Sequence, residues 1–167
     1  MYPEETDRVA VIDVGSNSVR LLVAGRSGGQ FFPIYTGRVV TRLLEGLRDG
    51  VLSAPAMART AEAIQALAAE ARALGAQEIE AFGTSAMRDG GKNSRDLIEK
   101  AARAGVSLRV LSGEEEARLA YAGTAPAGNS GVIDIGGGST EFMTGRDGQV
   151  LAAASAQMGA VRLKEMS

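Results

Sequence analysis

Val11-Ile12-Asp13-Val14-Gly15-Ser16-Asn17-Ser18 and Val132-Ile133-Asp134-Ile135-Gly136-Gly137-Gly138-Ser139 read as two copies of one device. Each is an apolar run that ends in Asp-x-Gly and passes into small residues. A buried strand entering such a turn leaves its last backbone N–H groups unpaired, so they can wrap an anion with no side chain in the way. Each copy continues into a second strand-like run, Val19 to Ala24 and Thr140 to Thr144, and then a Gly-bearing turn, Gly28-Gly29 and Asp147-Gly148. One such turn says little. Two of them read as a pair of phosphate-gripping hairpins, with the rest of the chain bringing them face to face.

Outward from the first copy, Arg8 to Gly15, Ser18 to Arg26 and Gln30 to Val40 form an antiparallel meander. Leu43 to Leu52, interrupted by Gly46 and Gly50, is expected to be loop with a short helix. Ser53 as N-cap and Pro55 in the first turn open a helix that Gly75 stops, with Ile64, Leu67, Ala71 and Leu74 on one face. Glu78 to Phe82 is a strand leading into Gly83-Thr84-Ser85-Ala86-Met87-Arg88; a helix from about Ser94 to Ala104 and a strand from Ser107 to Leu111 follow. This order makes the chain α/β, a mixed sheet with flanking helices. Ser112-Gly113-Glu114-Glu115 is a capping box opening a helix through Tyr121. A small-residue loop between Ala122 and Gly131 divides a first domain, 1–124, from the first strands of a second similar one, 125–167. That second domain is read as unfinished at Ser167.

The composition narrows the chemistry by what it lacks. The 167 residues include no His and no Cys. Thiol nucleophiles, imidazole bases, disulfides and the usual zinc sites are excluded. Acid–base and metal work falls to Asp and Glu, and anion binding to Lys, Arg, hydroxyls, amides and backbone N–H groups, a set suited to Mg²⁺ and phosphate. Basic and acidic residues number 18 and 20, so general nucleic-acid binding is not expected. With no apolar run long enough to span a bilayer and no signal-peptide pattern, the reading is cytoplasmic, without membrane partners.

Asp13 and Asp134 hold equivalent places, and a carboxylate at the mouth of a phosphate cradle repels its ligand unless a cation lies between. A lone Asp-x-Gly is more often a turn cap; the duplication favours the metal. Ser16, Asn17 and Ser18 on one side and Gly136, Gly137, Gly138 and Ser139 on the other supply the phosphate donors. Glu141 either reaches a metal or, by strand alternation, faces solvent. In the acidic trio Glu115 serves the cap and Glu114 the solvent, which leaves Glu116 free; spacing alone does not decide whether it is a general base. Arg88 either clamps phosphate or pairs with Asp89 at the surface, and spacing slightly favours the surface pair.

Together, Val11 to Leu21, Gly83 to Arg88, Ser112 to Leu119, Asp134 to Glu141 and Gly159-Ala160-Val161-Arg162-Leu163 resemble the exopolyphosphatase and guanosine pentaphosphate phosphohydrolase family, within the actin, Hsp70 and sugar-kinase superfamily. The resemblance implies two ribonuclease-H-like domains with the site in the cleft between them. It also implies Mg²⁺-assisted hydrolysis of a terminal phosphoanhydride in polyphosphate or guanosine pentaphosphate. Carried over by position, Glu116 matches the catalytic base, Asp134 and Glu141 the metal-associated carboxylates, and Arg88 with the two loops the phosphate binders. The family usually has Asp-Ala-x-Asn after the arginine; Asp89-Gly90-Gly91-Lys92-Asn93 carries one residue more, leaving the place of Asn93 open. Family members also carry a full second domain. The rivals are a small-molecule kinase of the same superfamily and a non-catalytic polyphosphate or nucleotide sensor. Substrate preference and oligomeric state, a homodimer included, are not legible.

Overall fold

Alternation in the first strand sets up the core. In the computed structural model, which describes residues 7–124 and 127–165, β1 (Asp7–Val14) turns Ala10, Ile12 and Val14 inward and leaves Val11 and Asp13 on the other face. β2 (Ser18–Ser27) and β3 (Gln30–Val40) complete the antiparallel meander. The chain then crosses through α1 (Ala54–Ala73) to β4 (Glu78–Gly83), and through α2 (Ser85–Asp89) and α3 (Ser94–Arg103) to β5 (Ser107–Val110). β4 lies parallel to β1 and β5 parallel to β4, which gives a mixed sheet of order β3-β2-β1-β4-β5. Ile64, Leu67 and Ala71 of α1 and Leu97 and Ala101 of α3 bury against its inner face. The mixed α/β architecture is thus the one read from the sequence.

Leu43 to Leu52 departs from that reading. It forms turns closed by an Arg48–Val51 bridge and contains no helix. Arg42, Gly46, Asp49 and Gly50 all have positive φ, a left-handed conformation that a right-handed helix cannot contain. The segment is ordered instead by its leucines, with Leu43, Leu44 and Leu52 all buried. Ser53 stands at the N-cap of α1, but its hydroxyl donates to the Glu45 carbonyl at 2.8 Å and not to the helix. Residues 85–89, just beyond β4, close into the single turn of α2.

α4 (Gly113–Thr124) begins with the expected capping box: Glu115 N–H donates to Ser112 Oγ at 3.1 Å, and Ser112 N–H to Glu115 Oε2 at 2.8 Å. These bonds hold the Glu115 carboxyl below its ordinary pKa, with the Arg109 ion pair adding to the effect. Ser112→Ala is expected to cost about 1 kcal/mol, read as a melting temperature lower by roughly 2–4 °C. Beyond α4, β6 (Asn129–Ile135), β7 (Thr140–Arg146) and β8 (Gln149–Ala156) make a second antiparallel sheet, followed by α5 (Ala160–Glu165). Ala117 and Tyr121 of α4 pack on Met143, Val132 and Val150 of this second sheet. Gly145 makes room for them, since a Cβ there would lie 2.5 Å from the Tyr121 ring. α4 therefore hangs from the first sheet by its start and rests on the second by its face. Among the described residues no helix is long and apolar enough to cross a membrane.

Candidate active site

The two hairpins close alike. Gly15 N–H donates to Ser18 O at 3.1 Å, and Gly136 N–H to Ser139 O at 2.9 Å. A Cβ on either glycine would meet that same carbonyl at 3.1 Å, which is why both turns take glycine. The carbonyls are also disposed alike. Ser16 O accepts from Leu44 N–H, and Asn17 O from the N–H groups of Thr41 and Arg42, all from the segment after β3. Gly136 O accepts from Ala160 N–H, and Gly137 O from those of Val161 and Arg162, all from the segment after β8. With their carbonyls held from behind, Ser16, Asn17, Gly137 and Gly138 keep N–H groups that donate to no backbone carbonyl among the described residues.

The two turns border one cavity of about 160 Å³. Asp13, Arg20 and residues 15–18 line one side, residues 134–139 the other, and Thr84, Ser85 and Glu116 lie between. The jaws meet closely: a Cβ on Gly138 would come within 2.5 Å of Ser16 Oγ and 2.6 Å of Ser85 Oγ. Asp13, Ser16, Asn17, Ser18, Glu116, Asp134, Gly136, Gly137, Gly138 and Ser139 are all brought to this wall.

Arg88 and Glu141 stand behind the wall. Arg88 Nη1 donates to Glu116 Oε2 at 2.7 Å and to Leu111 O at 2.9 Å, and both ionic side chains are largely covered, 18% and 19% exposed. The surface pair with Asp89 does not form; Asp89 binds Arg162. Arg88 Nη2 is buried without a hydrogen-bond partner among the described residues, an unspent donor of the kind that marks a ligand position. Glu141 is buried as well, 1% exposed, and accepts from Ser155 Oγ at 2.8 Å. Burial excludes the solvent-facing alternative for Glu141.

Register explains which carboxylates meet. Asp13 lies opposite Arg20 across β1 and β2, and Asp134 opposite Glu141 across β6 and β7. The same position in the two copies thus carries a cation in one and an anion in the other. Arg20, which the motif reading passed over, is the cavity's own guanidinium. Its signal was available, because 13 to 20 and 134 to 141 are the same seven-residue step on strands joined by the same turn. Asn93 is not part of the site: its side-chain amide bonds Leu52 N–H at 2.9 Å and Leu52 O at 3.0 Å, stapling the 43–52 segment to the start of α3.

Burial raises the Glu116 carboxyl above its ordinary pKa; the Arg88 hydrogen bond opposes the rise, and the charges of Glu141 and Asp13 add to it. Asp13 is also raised, first by burial, with Arg20 opposing and Asp134 adding. A carboxyl raised in the folded state binds its proton more tightly there than in the unfolded chain. It therefore costs stability above its folded pKa, and that cost vanishes below the unfolded value. Asp13→Asn is expected to raise the melting temperature of the ligand-free protein at about pH 8, with the gain shrinking as the pH is lowered toward about 4.

A Mg²⁺ ion usually keeps several waters and takes one or two carboxylates plus substrate phosphate oxygens. Like charges directly opposed on neighbouring strands are unfavourable without a counter-ion, and Asp134 and Glu141 are so opposed. Among the described residues no three carboxylates cluster as an all-protein cage. Asp134, on the cavity wall and opposite the buried Glu141, is the carboxylate placed to hold such an ion.

Known proteins are similar to this chain in sequence and fold. Exopolyphosphatase 1 of Mycobacterium tuberculosis is 36% identical over 164 residues, 93% of this chain and 47% of its own length. The crystal structure of an exopolyphosphatase from Cytophaga hutchinsonii superposes with a TM-score of 0.90 at 27% identity, over 96% of this chain and 54% of that one. The PPX-GPPA enzyme of Aquifex aeolicus superposes at 0.82 with 32% identity, over 97% and 56%. The chain thus spans about half the length of the curated relatives it matches. The Ppx/GppA phosphatase family model matches residues 5–167, and with the twin hairpins, the acidic helix and the cleft between them all in place, the chain belongs to the Ppx/GppA phosphatase family.

Proposed function

We propose that the chain forms the catalytic cleft of a phosphohydrolase that removes terminal orthophosphate from inorganic polyphosphate, or from guanosine pentaphosphate, in the cytoplasm. The observation that carries this reading is the placing of Glu116, Asp13 and Asp134 in one cavity with two turns whose unpaired N–H groups can take phosphate oxygens. The names of the relatives support polyphosphate as the substrate class. Guanosine pentaphosphate presents the same kind of terminal anhydride, and nothing in the cavity distinguishes the two.

In this mechanism the turns at 15–18 and 136–139 hold neighbouring phosphoryl groups by backbone and hydroxyl donors. Arg20 and the free Nη2 of Arg88 offset charge that develops on the transferred group. Glu116 accepts a proton from the attacking water as its oxygen bonds to the terminal phosphorus. The bridging P–O bond breaks, and the shortened chain leaves with the bond's electron pair as its new terminal oxyanion. Mg²⁺, when bound at Asp134 with Glu141 behind it, would neutralise phosphate charge and orient the chain end.

The test is orthophosphate release from long-chain polyphosphate and from guanosine pentaphosphate, each with and without added Mg²⁺. Mg²⁺-dependent release from either supports the proposal. Tight binding of both with no release would overturn hydrolysis and leave a sensor.

A further inference from the structure

The back of the second cradle is more elaborate than that of the first. α5 takes up all three glycine carbonyls: Gly136 O through Ala160 N–H at 3.0 Å, Gly137 O through Val161 and Arg162 N–H at 2.9 and 3.1 Å, and Gly138 O through Arg162 Nε at 2.7 Å. The contact is close enough to require glycine at Gly159, since a Cβ there would fall on the Gly137 backbone. The same guanidinium extends beyond the cradle. Its Nη2 pairs with Asp89 on α2 and donates to Gln157 Oε1 at 3.2 Å. Arg162 and Asp89 are both about one-fifth exposed, and Val161 packs at the edge of the first core. One side chain therefore joins the second cradle to the first sheet's α2, the short helix that also carries Arg88.

We infer that Arg162 is a positioning residue for the phosphate cradle. It pins the Gly138 carbonyl outward, so that the loop's amides face the cavity, and through Asp89 it locks the second jaw against the first. The part of this inference that concerns phosphate rests on the function proposed above. Among the described residues the first cradle has no such side-chain strap: the carbonyls of Ser16 and Asn17 accept from backbone N–H groups. A run of three glycines is freer than Ser-Asn-Ser and has more conformational entropy to lose on ordering, which is the physical reason for a strap at that jaw.

The test compares wild type, Arg162→Met, Arg162→Lys and Asp89→Asn. The readouts are backbone amide order parameters at residues 136–139 without ligand and titration with tripolyphosphate. For Arg162→Met the order parameters are expected to fall from the rigid range, about 0.85. Affinity should weaken roughly tenfold, the lower end of what removal of an outer-shell partner costs. Arg162→Lys should not rescue it, because an ammonium cannot span Gly138 O and Asp89 as a planar fork does. Asp89→Asn keeps the Nε bond and should give a smaller shift in the same direction, and it carries the test if Arg162→Met does not fold. Unchanged order parameters would overturn the inference, as would a loosened loop with unchanged affinity. If wild type does not bind tripolyphosphate while the loop still loosens in the variants, the strap stands and the phosphate reading falls.

Discussion

Replacing Glu116 by Gln is expected to lower the rate of orthophosphate release from polyphosphate by roughly 10²- to 10⁴-fold, the range a positioned general base supplies. The amide fills nearly the same volume and can still accept from Arg88, so the fold and the phosphate donors persist; what is lost is the capacity to take a proton from water. The pH profile separates this from damage elsewhere. Burial raises Glu116 above its ordinary pKa, against the pull of the Arg88 hydrogen bond and with the push of Glu141 and Asp13. Only the deprotonated form is a base. The wild-type rate is therefore expected to fall as the pH drops through that raised value, higher than an ordinary carboxylate would give. The residual rate of Glu116→Gln should lack this acid limb. A variant with the same limb as wild type would place the titrating group elsewhere.

Arg88→Met has the next largest expected effect, about 10²- to 10³-fold on the same rate, comparable to loss of one preorganised donor to a developing charge. Arg88 fixes Glu116 from behind through Nη1 while Nη2 is unspent. Its removal costs a positive charge just behind the cavity wall and the orientation of the proposed base. Two further outcomes follow from the ion pair. The Arg88 interaction is what lowers the Glu116 pKa, so without it the acid limb should move to higher pH. Arg88→Lys should restore charge but not rate, because a single ammonium cannot serve Glu116, Leu111 O and a phosphate with the geometry of a fork. A lysine variant with wild-type turnover would reduce Arg88 to a source of charge.

The parts of this site that were legible in sequence are those that local chemistry fixes. Asp-x-Gly turns after apolar runs announce themselves because Gly15 and Gly136 close the same way, onto a carbonyl that any Cβ there would crowd at 3.1 Å. The capping box is a local, four-residue pattern and formed as read. What was not legible depends on which elements meet. Ala117 and Tyr121 pack on the second sheet, distant in sequence, where the missing side chain at Gly145 leaves space for the Tyr121 ring. The 43–52 segment, expected as loop with a short helix, forms turns with no helix. Its work is to bury Leu43 and Leu44 while its backbone, with that of Thr41 and Arg42, holds the first cradle's carbonyls. Arg88 was read as a choice between phosphate and Asp89, whereas the fold gives it to Glu116 and gives Asp89 to Arg162.

The central claim is that two copies of one hairpin grip a single phosphate chain from opposite sides. The most direct measurement is the backbone amide spectrum of the protein during titration with tripolyphosphate. Amides at residues 16–18 and at 137–139 are expected to shift together and to saturate with one dissociation constant, since both line the same cavity. Shifts confined to one hairpin, or two sets of shifts with separate dissociation constants, would contradict it.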